Sequence, residues 1–425
     1  MAEEEQFNAG GLRVHWQPSD TFKTTTIVLH VKAPLEAETA ASRSLLAQVL
    51  QAGTEELPSR RKIRYFLDDL YGATFYADVG KKGENHVLTF VMEVASEKYL
   101  QNESPLLPKA LAFLLSVIQK PNRSEKGFPE TIIQEEKQVL MQRIRNIVDE
   151  KTRYANIRML EEMCAEEPFG VHPFGTAEEL EALTNQELQE TFERMIRNDQ
   201  FDLFVTGPGT KEEITDAIHS AGENVGSGKT VASTATMHDA PAQVNEVVEK
   251  QSIQQAKLHL GFRVPYTVGS REYTGVLVTN GILGAYPHSK LFVNVREKES
   301  LAYYAASRYE PYKGIVFAMA GIAPDQYEKA ARIMQEQLEA MKRGDITEEE
   351  LTTTKQMLKN QILEQVDSAR GAIEMNYQNV LSGANRTVDD RLREIEAVDM
   401  DTVISIAKAI QLDTVYLLTA EEGTA

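Results

Sequence analysis

The apolar positions of this chain fall into short β-like runs and helical stripes that come in one order and then repeat it. The run Thr24–Val31 is β-branched and apolar and stops at Pro34. After an acidic, alanine-rich turn, Ser42–Leu50 has helical apolar spacing and ends at Gly53. A second helix over Ser59–Tyr71 closes at Gly72, and Ala73–Val79 and His86–Val94 read as strands. Two helices follow, over Pro105–Gln119 and from Pro129 to about Cys164. The loop Pro168–Gly175 breaks the pattern, and a helix pair then leads to the strand Phe201–Thr206, stopped by Gly207-Pro208-Gly209.

From Gln255 the order starts again. Ala256–Phe262 is a strand stopped by Pro265, Tyr273–Leu283 an apolar helix closed by Gly284, and Ser289–Ser300 another helix. Strands over Ala302–Ser307 and Gly314–Gly321 precede a helix over Pro324–Arg343 and a long helix over Thr347–Leu381. A last helix pair ends in the strand Thr414–Thr419. The long helices enter alike, through Phe128-Pro129-Glu130 and Ile346-Thr347-Glu348. Between the halves, Gly222–Pro241 is rich in Gly, Ser, Thr and Ala, a linker composition. The expected fold class is therefore α+β: two homologous domains in tandem, each an antiparallel-rich sheet covered by helices, at 1–221 and 246–425 around a linker at 222–245. Each is of an ordinary domain size, about 200 residues.

Composition narrows the partners. Of the 425 residues 42% are hydrophobic and 26% charged, as in a soluble globular protein, and the formal net charge of −19 repels nucleic acid and anionic membrane surfaces. The most apolar run, Ala110–Ile118, is too short to span a bilayer and reads as a buried helix. The start, Met1-Ala2-Glu3-Glu4-Glu5, is acidic where a secretory signal is basic and then apolar, so a cytoplasmic location is expected. Cys164 is the sole cysteine and sits among Glu161, Glu162, Glu166 and Glu167, which raise a thiol pKa; a structural role is expected.

The sharpest motif lies in the second half: Ile282-Leu283-Gly284-Ala285, then Ser289-Lys290-Leu291-Phe292-Val293-Asn294-Val295-Arg296-Glu297-Lys298-Glu299-Ser300-Leu301-Ala302-Tyr303. It resembles the C-terminal domain signature of the pitrilysin, insulin-degrading-enzyme and mitochondrial-processing-peptidase family. The first half resembles that family's N-terminal domain through Gly53-Thr54, Tyr71-Gly72-Ala73 and His172-Pro173-Phe174-Gly175. The resemblance covers about Gly11 to Leu418 and implies a processing-peptidase-like metallohydrolase fold. It also implies that Arg296 and Tyr303, seven residues apart, hold a substrate backbone near the scissile bond. Both groups donate hydrogen bonds, which suits a carbonyl gaining negative charge. The structural alternative is that Arg296 pairs with a local glutamate and Tyr303 packs as a strand aromatic.

The first half departs from the family. Active members carry H-x-x-E-H on the first helix, two histidines for zinc and a glutamate that activates water. Counting back from Gly53-Thr54, these positions are Ser44, Ala47 and Gln48, which supply neither ligands nor base. No two of the eight histidines lie within four residues of one another, so no helical turn offers a pair. The family's third ligand, a glutamate on the long helix, falls in the stretch Gln134-Glu135-Glu136.

No independent peptidase activity and no cofactor on this chain are therefore expected. The resemblance implies the zinc-free subunit of a heterodimer, with zinc on a paralogous partner carrying H-x-x-E-H and a peptide as substrate. A catalytically inert peptide-binding or scaffold homodimer is the alternative. A serine hydrolase built on Ser44 lacks a G-x-S-x-G elbow. Gly226-Ser227-Gly228-Lys229-Thr230 has Glu223 where a phosphate loop needs its first glycine, and Arg60-Arg61-Lys62 with Arg64 reads as a solvated helix face.

Overall fold

A computed structural model describes residues 4–100, 106–222, 226, 228–232 and 236–421. In chain order the elements are β1 (Glu5–Ala9), β2 (Leu12–Pro18), β3 (Thr24–Pro34), α1 (Ala37–Ala52), α2 (Arg60–Asp69), β4 (Thr74–Lys82) and β5 (Asn85–Ala95). Next come α3 (Leu106–Gln119), α4 (Glu130–Asp149), α5 (Lys151–Met163), α6 (Ala177–Ala182), α7 (Asn185–Asn198), β6 (Gln200–Gly207) and α8 (Lys211–Ala221). The second half runs β7 (Asn245–Gln251), β8 (Ala256–Arg263), α9 (Tyr273–Asn280), β9 (Ala302–Glu310) and β10 (Ile315–Ile322). It ends with α10 (Tyr327–Lys342), α11 (Glu348–Val366), α12 (Ala369–Ser382), α13 (Val388–Ala397), α14 (Met400–Ala409) and β11 (Gln411–Ala420). Two π-helical segments, Gly281–Ala285 and Phe292–Lys298, stand between α9 and β9.

The α+β duplication is written into the sheets. One has the order β1-β2-β6-β3-β5-β4 and the other β7-β11-β8-β10-β9. Leaving out β1, the two orders correspond strand for strand, and each holds one parallel pair, β2 with β6 and β7 with β11. The other pairings are antiparallel. The strands β6 and β8 are buried along their whole length, polar residues such as Asp202 and His259 included.

The chain divides into two compact units, neither continuous in sequence: 1–146, 171–233 and 366–377 form one, and 147–170, 234–365 and 378–425 the other. The segment 147–170, expected in the first domain, therefore packs within the second unit. The two long helices anticipated from the apolar pattern are each broken near a change of unit, the first at Glu150 and the second between Val366 and Ala369. In the first unit, α3 buries Leu107, Ala110, Leu111, Leu114 and Ile118 in the core over the sheet. Tyr377 stacks on His30 of β3 with ring centroids 3.9 Å apart.

In the second unit α5 lays Ala155, Met159 and Met163 on β8 and β11, where they meet Phe317 and Tyr416. Gly261 leaves room for them: a Cβ there would lie 2.8 Å from the Met163 sulfur. Cys164 is fully buried in the same cluster. Behind it Arg263 bridges Glu167 and Asp413, and Lys313, also buried, reaches Glu167 at 2.6 Å. No helix among the described residues is long and apolar enough to cross a membrane. The linker expected at 222–245 lies partly outside the described residues, and so does the Gly226–Thr230 stretch.

Candidate functional site

Helix α1 carries Ser44, Ala47 and Gln48, the positions that the family resemblance aligns with the zinc motif. Its alanines and leucines leave it with no solvent face between Ala40 and Leu50, so it is packed on all sides and ends at Gly53 in extended backbone. Ser44, Ala47 and Gln48 are all buried. The Ser44 hydroxyl donates to the Pro173 carbonyl at 2.6 Å. Beside it Arg43 pairs with Asp199 at 2.5 Å, both buried. Burial is the main influence on Asp199 and raises its pKa against the pull of Arg43.

His86, on β5, is fully buried near the same loop. Burial first, then the charges of Arg43 and His172, push its pKa well below 6.5, while the Pro173 carbonyl works the other way. In the Gln134-Glu135-Glu136 stretch only Glu136 is buried. It accepts from Nε of Arg60 at 3.1 Å and from a terminal nitrogen of the same guanidinium. These residues do not fit a zinc ion. The motif positions offer a hydroxyl, a methyl and an amide, the hydroxyl is already engaged, and Glu136, whose Oε1 is bound by Arg60 and whose Oε2 alone is unpartnered among the described residues, is a single carboxylate.

The second half presents the opposite picture. Arg296 lies in the π-helical segment Phe292–Lys298 and is exposed. Its guanidinium sits 4.6 Å from the Phe292 ring centroid, and it makes no ion pair among the described residues. The nearby Glu299 is taken by Lys329 instead. Ser300, at φ 52, turns the chain into β9. There the register with β10 slips: Ile322 opposes Ala302 and Gly321 opposes Tyr304, so Tyr303 is the bulged residue between them. A bulge re-aims a side chain, and Tyr303 is 75% exposed. The alternatives of a local glutamate pair and a packed strand aromatic are thus not what these side chains do.

The bulge was not readable in the sequence, since it depends on where β10 pairs, and neither were the roles of Arg43, His86 and Asp199, which follow from packing.

The family described as Peptidase M16 inactive domain matches residues 182–358. The Bacillus subtilis (strain 168) protein named Probable inactive metalloprotease YmfF is 38% identical over 415 residues, covering 97% of each chain. The chain belongs to the peptidase M16 family. Another relative, Uncharacterized zinc protease YmxG of the same organism, is 26% identical over 67% of this chain and 69% of its own. Among solved structures, a conserved protein from Enterococcus faecalis V583 superposes with a TM-score of 0.91 at 29% identity, covering 99% of both chains. Its relatives give this M16 chain the character of an inactive metalloprotease-like protein.

Proposed function

We propose that this chain is the zinc-free subunit of a two-chain M16 peptidase, lending Arg296 and Tyr303 to the active site of a paralogous partner that carries H-x-x-E-H. The observation that carries the reading is the contrast between the two halves. The motif positions on α1 are buried and Ser44 is tied to Pro173, whereas Arg296 and the bulged Tyr303 are exposed and make no hydrogen bond or ion pair among the described residues. A guanidinium and a phenol held on a rigid corner are suited to a peptide carbonyl that gains charge. The zinc, the water it activates and the general base would all belong to the partner. The acidic balance of the chain argues against nucleic acid as a partner.

The test is to mix the chain in equimolar amount with a paralogue bearing H-x-x-E-H and follow cleavage of an unstructured peptide. The mixture should cleave faster than the paralogue alone, and this chain alone should not cleave. Equal rates with and without this chain would leave the scaffold homodimer as the better account.

A further inference from the structure

β4 is the outer strand of the six-stranded sheet and, among the described residues, pairs with β5 alone. An outer strand offers unpaired backbone groups, and an extended peptide adds there by continuing the ladder. In this chain two successive outward N–H groups of β4 already have acceptors. The Ala77 N–H donates to Oε1 of Gln51 at 3.1 Å, and the Val79 N–H donates to Oδ1 of Asp78 at 2.9 Å. Residues two apart share one edge of a strand, so both bonds lie on the side away from β5. Gln51 belongs to the last turn of α1, a helix fixed by burial and by the bonds of Arg43 and Ser44.

We propose that Gln51 and Asp78 are a built-in cap that keeps extended peptides from adding to the β4 edge of this chain. The cap needs no partner chain to act. It also suits the partner role, because a subunit whose own edge is closed leaves an extended substrate to the sheet of the other chain.

The experiment uses the full chain alone. Amide hydrogen exchange is followed at single-residue resolution with and without a fluorescein-labelled, lysine-rich unstructured peptide. In the wild type, the amides of Ala77 and Val79 should exchange about fivefold more slowly than in a Gln51→Ala, Asp78→Ala double variant, a factor typical of one hydrogen bond. The peptide should leave them unchanged in the wild type and slow them in the variant. Gln51→Met, which keeps bulk and lacks the acceptor, should free Ala77 alone and serves where the double variant does not fold. Peptide protection of these amides in the wild type would overturn the proposal, and so would variants that fold but take up no peptide. Because no second chain is present, either result is read separately from the mixing experiment.

Discussion

The Ser44 hydroxyl is hydrogen-bonded to the Pro173 carbonyl at 2.6 Å, so this position of α1 holds down the His172–Gly175 loop. The loop is close-fitting as well. Gly175 has φ 65, and a Cβ on it would lie 2.7 Å from Cβ of Ala41. Ser44, Ala47 and Gln48, the positions that the family resemblance aligns with the zinc motif, are part of the packing.

Metal content follows from that packing. Ser44→Ala should lower the unfolding free energy by about 1 kcal/mol, the worth of one buried hydrogen bond. A Ser44→His, Gln48→His double variant should still bind no stoichiometric zinc, because α1 is packed on all sides there and Oε1 of Glu136 is held by Arg60. Elemental analysis after dialysis against zinc checks the second point, and one equivalent of zinc in the double variant would refute it.

Acid should weaken the fold through two histidines in corresponding strands, His30 of β3 and His259 of β8. Burial is the first cause in each, and both pKa values are pushed from 6.5 down to about 3. The unfolded chain takes up a proton at each as pH falls through 6.5, and the folded chain does not until about 3. Stability is therefore complete above 6.5 and declines below it, by about 2 kcal/mol per ring at pH 5. Urea unfolding at neutral and acidic pH measures the slope, and His30→Phe should flatten it. An unchanged slope in that variant would contradict the assignment.

The buried ion network of the second unit should be sensitive to loss of one member. Arg263→Met removes the cation paired with Asp413 and one of the cations on Glu167, which keeps Lys313, and should cost roughly 3 kcal/mol. Thermal unfolding measures this. Replacing exposed Arg296 by Ala should change stability by less than about 0.5 kcal/mol, which separates a structural arginine from one available to a ligand.

Much of the architecture was legible because strong apolar runs carried it. β3, β5, β6, β8 and β11 were found near their true bounds, and so was the order of helices between them. β1, β2, β7 and α8 were not anticipated. β1 and β7 are short and largely polar strands that exist because β2 and β11 offer them a ladder, not because their own residues demand it. The breaks at Glu150 and after Val366 went unread because helical apolar spacing continues across them while the packing environment changes. At the candidate site, counting from Gly53-Thr54 places the expected motif at Ser44, Ala47 and Gln48, whereas the bulge at Tyr303 and the contact of Gln51 with Ala77 arise only once strands are paired.

The most direct measurement is peptide turnover by a mixture of the H-x-x-E-H paralogue with either the wild-type chain or an Arg296→Ala, Tyr303→Phe variant of unchanged stability. The account predicts that the wild type accelerates cleavage and that the variant still associates but loses at least about tenfold of the gain, the effect of removing donors that act in the transition state. Full acceleration by the folded, associated variant would contradict it.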